Sequence, residues 1–354
     1  MASHSKLASL QVVRALAAWT VVFHHYVQLY NENSTTALAR FFWNHGKLGV
    51  DVFFVLSGFV MCLVLRNSVK GPAVFFMDRV FRIAPAYWFF TAILVGCLYV
   101  FPRGFFYTAF DTESLLKSIM FIPGLNPSGV GFVPVLTVGW TLNFEMFFYV
   151  ILACCMAFSR RWALAIFLVL FALFPFIYPI DAPLSIIGTD PRLHEFWAGA
   201  LVAAFWSKGF SSTLRNFSKL SLVAGVGFLI GGIAMLLRGH ANIFALSVVV
   251  FALICEPYLK PESLFVRVFV HLGEISYSTY LAHCIVIGIL IHLTGKGLPP
   301  SYQTVMLFTT VVGTYFMSLL SYRWIENNPH IAALRAFVIR FCKTKNNKKI
   351  ANAQ

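Results

Sequence analysis

The sequence predicts an all-α, polytopic membrane protein with about ten transmembrane helices and both termini on the cytoplasmic side. Three observations lead there. Only 11% of the 354 residues are charged, against roughly 25% in a soluble globular domain, which is too few to cover a water-facing surface. Hydrophobic residues reach 59% and aromatic residues 17%, a composition suited to lipid contact and interfacial belts. The apolar residues also gather into runs of about 20, the length that crosses a bilayer as a helix.

Ten such runs follow in order. The first, 7–30, resembles a signal peptide with Ala37-Leu38-Ala39 as its cleavage site, but Arg14, His24 and His25 interrupt the apolar core. It reads as a retained transmembrane helix. The second, 48–66, opens on a glycine-flanked acid, Gly49-Val50-Asp51. The third, 83–101, follows a pair of arginines. Next, Ser114 to Pro134 is apolar but broken by Pro123, Gly124, Pro127 and Gly129, so it reads as a re-entrant or interfacial piece. The fourth run is 138–157 and the fifth 163–180. The sixth, 192–206, is short and begins at charged residues. Runs at 220–237, 241–257, 272–294 and 302–322 complete the set.

Charge gives this layout a direction. The net charge is +14, and most of the Lys and Arg fall in the loops that lie on the side of the N-terminus. Only Arg40, Lys47, Arg103, Lys117, Arg192, Arg238 and Lys296 fall on the other side. That is positive-inside sorting, and it disfavours nucleic acid as the partner. The organisation reads as one transmembrane domain, 1–330, followed by a basic cytoplasmic tail, 331–354, suited to anionic membrane lipid. Cys62, Cys97, Cys154, Cys155, Cys255, Cys284 and Cys342 follow no metal or disulfide spacing. No metal site is expected.

Ionisable groups inside membrane helices are costly, so each is a candidate for function. Arg14 and His25 are eleven residues apart, which puts them about 20° short of one helix face and about 16 Å apart along the axis. A phosphate-binding cation and a general base on one stripe fit a long thioester donor. A lipid-snorkelling Arg and a buried structural His fit the same pair. His24 points away by about 100°. Asp51 is placed to orient His25 as a carboxylate does in hydrolase triads, or to favour a helix N-terminus. Arg79 and Arg82 share a helix face at i, i+3 and suit a phosphate ligand, although anchoring explains two basic residues there equally well. Glu145 lies among the aromatics of Trp140-Thr141-Leu142-Asn143-Phe144-Glu145-Met146-Phe147-Phe148-Tyr149, where it would bind a hydroxyl or support the base. Trp140, Tyr149, Tyr277 and Tyr280 are candidate sugar contacts; lipid contact suits most of the other aromatics. His283 adds further polarity near Tyr280, and Ser57-Gly58 reads as close helix packing.

Taken in order, these residues resemble the acyltransferase-3 family of bacterial membrane O-acyltransferases. The likeness runs over roughly Leu10 to Pro329. It rests on Arg14 with ten residues before His25, GVDVFFVLSGF at 49–59, Arg-x-x-Arg at 79–82, WTLNFEMFFY at 140–149, ISYSTYLAH at 275–283 and RWIENNP at 323–329. The resemblance implies acyl-CoA, acetyl-CoA above all, as a donor substrate with no permanently bound cofactor. It implies His25 as catalytic base and Arg14, Arg79 and Arg82 as donor-side residues. It implies a carbohydrate or lipid-linked sugar acceptor, and residence in the bacterial inner membrane. Single-step transfer and a covalent relay through His25 or Ser57 both stay open. So does a small-molecule acceptor. A proton-coupled transporter would also bury Arg, His, Asp and Glu, but the sequence has neither the repeated halves nor the paired broken helices common in transporters.

Overall fold

The computed structural model describes residues 7–30, 36–67, 70–101, 104–177, 187, 190–206, 218–296 and 299–351. Among the described residues all regular structure is helical. The helices are α1 (Ala8–Tyr30), α2 (Ala37–His45), α3 (Leu48–Asn67), α4 (Pro72–Val100), α5 (Thr112–Ile119), α6 (Trp140–Phe158), α7 (Ala163–Ile177), α8 (Leu193–Phe205), α9 (Ser218–Leu237), α10 (Ala241–Cys255), α11 (Leu264–Glu274), α12 (Ser276–Thr294), α13 (Pro300–Ser321) and α14 (Pro329–Ala351).

Each apolar run carries a helix, and among the described residues seven helical segments are long and apolar enough to cross a membrane. The other three runs fall short for different reasons. α1 has the length, but Gln11, Arg14, His24 and His25 lower its hydropathy. α7 has 15 residues and α8 has 13, short of the roughly 20 that span the hydrocarbon. Two boundaries also differ from the sequence reading. α4 begins at Pro72, where a first-turn proline lacks only an N–H that no helix uses, and it runs through Pro85. The run expected over 272–294 breaks into α11 and α12 at Ile275, where Ser276 Oγ donates to the Gly273 carbonyl at 2.7 Å and so competes with the helical ladder.

Inside a membrane, association rests on close packing rather than on expulsion of water. α3 and α8 meet at two glycines. A Cβ on Gly58 would lie 2.0 Å from the Phe196 carbonyl oxygen, and one on Gly199 would lie 1.9 Å from that of Val55. Close approach of the backbones therefore explains Gly58, as the sequence suggested. Beside this crossing, Phe148 stacks on Phe196 with ring centroids 4.7 Å apart and meets Phe167 edge-on at 4.9 Å.

α1 is gripped at its start. The first-turn amides of Ala8 and Ser9 donate to the Glu256 carboxylate at 3.0 and 2.7 Å, which satisfies two otherwise unpaired N–H groups and places negative charge at the positive end of the helix. The segment Ser114 to Pro134, expected as a re-entrant or interfacial piece, holds most of α5 and a bonded loop around Asn126. The Asn126 side chain donates to the Pro134 carbonyl at 3.1 Å and accepts from the Ser128 amide at 3.0 Å. At the other end of the chain a π-turn, Tyr322–Glu326, leads into α14. Arg335 on α14 pairs with buried Asp78 of α4 at 2.8 Å, and Lys70 pairs with the same carboxylate.

Candidate active site

Most of the polar side chains singled out by sequence lie around two separate cavities along α1. The first, of about 160 Å³, is lined by Arg14, Ser57, Arg79, Arg82, Thr141, Glu145, Tyr149, Tyr277 and Tyr280, with apolar walls from α3 and α6. All three predicted donor-side arginines meet here, although they come from α1 and α4. Their partners differ. Arg82 is tied to Glu326 of the π-turn at 2.8 Å, and that carboxylate also accepts from Ser278 at 2.7 Å. Arg79 approaches Met61 Sδ at 3.9 Å, and its buried Nε has no hydrogen-bond partner. A buried guanidinium N–H left unbonded is a place where an anionic ligand restores what desolvation removed.

Glu145 occupies the same cavity. Its Oε1 accepts from Ser57 at 3.3 Å and, more tightly, from the Tyr149 hydroxyl one turn along α6. Tyr277 donates to the Ile83 carbonyl at 2.8 Å. Glu145, Tyr149 and Tyr277 are thus supports of the arginine cavity. No polar contact links Glu145 to His25.

The second cavity, of about 420 Å³, is lined by His25, Gln28, Trp43 of α2, Phe105 to Thr108, Val130, Val133, Leu136 to Val138, Trp140 and Cys284. The loop 104–138 therefore supplies much of its wall. Lys296 sits over the Phe106 ring at 4.4 Å. His24, one residue from His25, points instead at α2, with Nδ1 2.8 Å from the Phe42 carbonyl oxygen. This agrees with the wheel argument that set His24 aside.

A hydrogen-bonded layer separates the cavities. Tyr280, which lines the first, donates to the carbonyl of Val138, which lines the second, at 2.8 Å. Thr141 donates to the Tyr280 hydroxyl at 3.2 Å. Tyr280 is therefore a partition between two spaces, and Trp140 alone of the four predicted aromatic contacts lines the cavity of His25.

Asp51 is not the neighbour of His25 that the sequence suggested. Its carboxylate faces Arg192, whose Nε is 3.9 Å away, and Arg192 in turn pairs with Asp190 at 2.8 Å and covers the Trp140 ring at 4.7 Å. The physical reason is register. Asp51 sits in the first turn of α3, at the level of α8 and its leading residues. The polar contact to His25 comes from α12: His283 Nε2 is 2.9 Å from His25 Nδ1 and the rings stack at 4.9 Å. Cys284 Sγ lies 3.3 Å from the same His283 nitrogen. No local spacing announces this group, because 258 residues separate the two histidines.

Comparison with known proteins identifies the family of the chain. Residues 7–319 match the family model described as an acyltransferase domain. The exopolysaccharide production protein ExoZ of Rhizobium meliloti is 33% identical over 280 residues, covering 76% of this chain and 86% of ExoZ. The peptidoglycan O-acetyltransferase OatA of Listeria monocytogenes is 22% identical over a match covering 92% of this chain and 56% of OatA, so the chain spans little more than half of that relative. No solved structure matches the chain.

Proposed function

The chain belongs to the acyltransferase family whose model covers residues 7–319, and from that premise we propose that it moves an acetyl group from cytoplasmic acetyl-CoA to a hydroxyl of an envelope carbohydrate. The observation that carries this reading is the division of the bundle into an arginine cavity and a histidine cavity separated by Tyr280. An acyl-CoA has an anionic end and a reactive thioester end. Arg14, Arg79 and Arg82 hold its phosphates, which the unbonded Nε of Arg79 suits. The pantetheine arm runs along α1 toward His25, and the Tyr280 ring swings aside from Val138 to let it pass.

The acceptor hydroxyl enters the histidine cavity, where Trp43, Tyr107 and Trp140 offer ring faces to a sugar. His25 takes the hydroxyl proton as the alkoxide oxygen attacks the thioester carbonyl. The tetrahedral intermediate collapses, the C–S bond breaks, and the CoA thiolate takes the proton back from His25. A positioned base contributes about 10²–10⁴-fold to such a step. The names of the relatives, one tied to exopolysaccharide production and one to peptidoglycan O-acetylation, support a carbohydrate acceptor. The cationic loops support placing the arginine cavity toward the cytoplasm of a bacterial inner membrane.

The test is O-acetylation of envelope sugars, read by NMR in cells lacking the native gene and complemented at matched expression. Wild type restores the acetyl resonance and His25→Ala does not. Restoration by both removes His25 as the base, and restoration by neither removes the sugars examined as acceptors.

A further inference from the structure

We propose that His283 is the positioning residue of this site: it fixes the tautomer of His25 so that Nε2, and not Nδ1, is the nitrogen free to take a proton. The inference rests on the reading of His25 as the base. It follows from hydrogen-bond bookkeeping along three groups. The Thr279 carbonyl can only accept, and His283 Nδ1 lies 3.3 Å from it, so that nitrogen carries the proton. A neutral His283 then has a bare Nε2, which faces His25 Nδ1 at 2.9 Å. One of two facing ring nitrogens must donate, and only His25 Nδ1 remains to do so. Neutral His25 is left with a bare Nε2 on a ring that lines the histidine cavity.

The surroundings support this order. Cys284 Sγ, 3.3 Å from His283 Nε2, brings a second and weaker donor to the same acceptor. His24, with its ring 5.4 Å from that of His25, is turned to the Phe42 carbonyl. Tyr280 lies 6.0 Å from the His283 ring and is turned to Val138. Among the described residues no carboxylate bonds to either imidazole, so His283 holds the place that an acid holds in a hydrolase triad. The same atoms raise the question of a metal, since His25, His283 and Cys284 offer ligand atoms within 4.8 Å of one another. The 2.9 Å contact between the two ring nitrogens is the length of a hydrogen bond. Two ligands about 2.0–2.1 Å from one tetrahedral ion stand farther apart than that.

The experiment uses membrane vesicles holding the full chain, with pH equalised across the bilayer. It follows incorporation of labelled acetyl from acetyl-CoA into the carbohydrate fraction. His283→Leu is expected to lower turnover at saturating acetyl-CoA by about 100-fold while KM for acetyl-CoA stays within about twofold. His283→Gln keeps an acceptor oxygen and is expected to recover at least about tenfold of that loss. His283→Glu places a carboxylate on His25 Nδ1–H and favours the imidazolium. The base works when neutral, so the acid limb of the pH profile should move to higher pH, which a merely structural role would not produce. Turnover of His283→Leu within threefold of wild type, equal loss in the Gln and Leu variants, an unmoved acid limb in the Glu variant, or one zinc per chain in the purified protein would each overturn the proposal. The wild-type and His25→Ala arms report separately on the acyltransferase reading. Absence of wild-type transfer overturns that reading and this one together, whereas transfer by the wild type alone leaves the His283 variants to decide.

Discussion

The arginine cavity and the histidine cavity are built by opposite means. The first is assembled from the faces of long helices, and its polar groups are charged: three guanidiniums against Glu145 and, through Arg82, Glu326. The second borrows much of its wall from loop 104–138 and from the nine-residue α2, and its polar groups are His25, Gln28, Cys284, hydroxyls and indoles. The difference teaches how one bundle builds two unlike cavities. Fixed charges need rigid elements to hold them against one another. A surface for a bulky neutral ligand is more readily formed by loops, which vary without disturbing the helices.

The contrast yields predictions of decreasing size. The largest is a division of kinetic effects. His25→Ala should reduce transfer by about 10²–10⁴-fold with little change in KM for acetyl-CoA, because it removes a group acting in the chemical step. Arg79→Leu should instead raise that KM by roughly 10- to 100-fold and leave turnover at saturation near wild type, since a lost charged hydrogen bond costs about 1.5–3 kcal/mol. Steady-state kinetics in vesicles separates the two. If both variants lose turnover alone, the cavities do not divide binding from chemistry.

A smaller effect is expected at the partition. Tyr280→Ala removes the hydroxyl bridge to Val138 and the ring that fills the space between the cavities. Water then reaches the thioester without an acceptor. Release of free CoA thiol in the absence of carbohydrate should rise about tenfold as transfer falls, at a difference near 1.4 kcal/mol. An unchanged rate of thiol release would mean that the partition lies elsewhere.

The smallest effect concerns the loop side. Asp111, outside the spanning helices, caps α5 by accepting from the Ser114 amide at 2.7 Å. That backbone hydrogen bond, joined by one from the Ser114 hydroxyl, holds the Asp111 carboxyl below its usual value. With its folded pKa depressed, the cap contributes fully above the unfolded carboxyl pKa and fades as pH falls through the folded one. Hydrogen exchange at Ser114, corrected for intrinsic rates, should quicken below the usual carboxylate range in wild type and show no such step in Asp111→Asn. Transfer at neutral pH should be the same in both.

Much of this molecule can be read from its sequence, and the unreadable parts share a cause. Runs of apolar residues locate the helices because the period and length of a spanning helix are local properties. Arg14 is legible because charge inside such a run is costly, Arg79 and Arg82 because they share a helix face at i, i+3, and Gly58 because a small residue there has few other uses. Asp51 misleads because its distance from His25 in sequence says nothing of depth; Arg192, about 140 positions away, takes it instead. His283 is visible as a polar residue, but its meeting with His25 depends on how α12 lies against α1. Nor does any pattern mark Glu326 as the counter-ion of Arg82, since a π-turn aims it. Pairings across the bundle are tertiary facts, and the site is made of them.

The grip of Glu256 on the start of α1 has a consequence for biogenesis. α1 leaves the ribosome well before Glu256 and is too polar to count among the seven strongly apolar spans of the described residues. The carboxylate that satisfies its first amides lies 247 residues downstream of Ser9. At about 5–20 residues per second, that acid is synthesised roughly 10–50 seconds later. Through this interval the segment bearing Arg14 and His25 must wait in the translocon or under a chaperone. The helix bearing Arg14 and His25 is thus made early and secured late, so a nascent chain cut short before Glu256 holds both residues in a helix without its clamp.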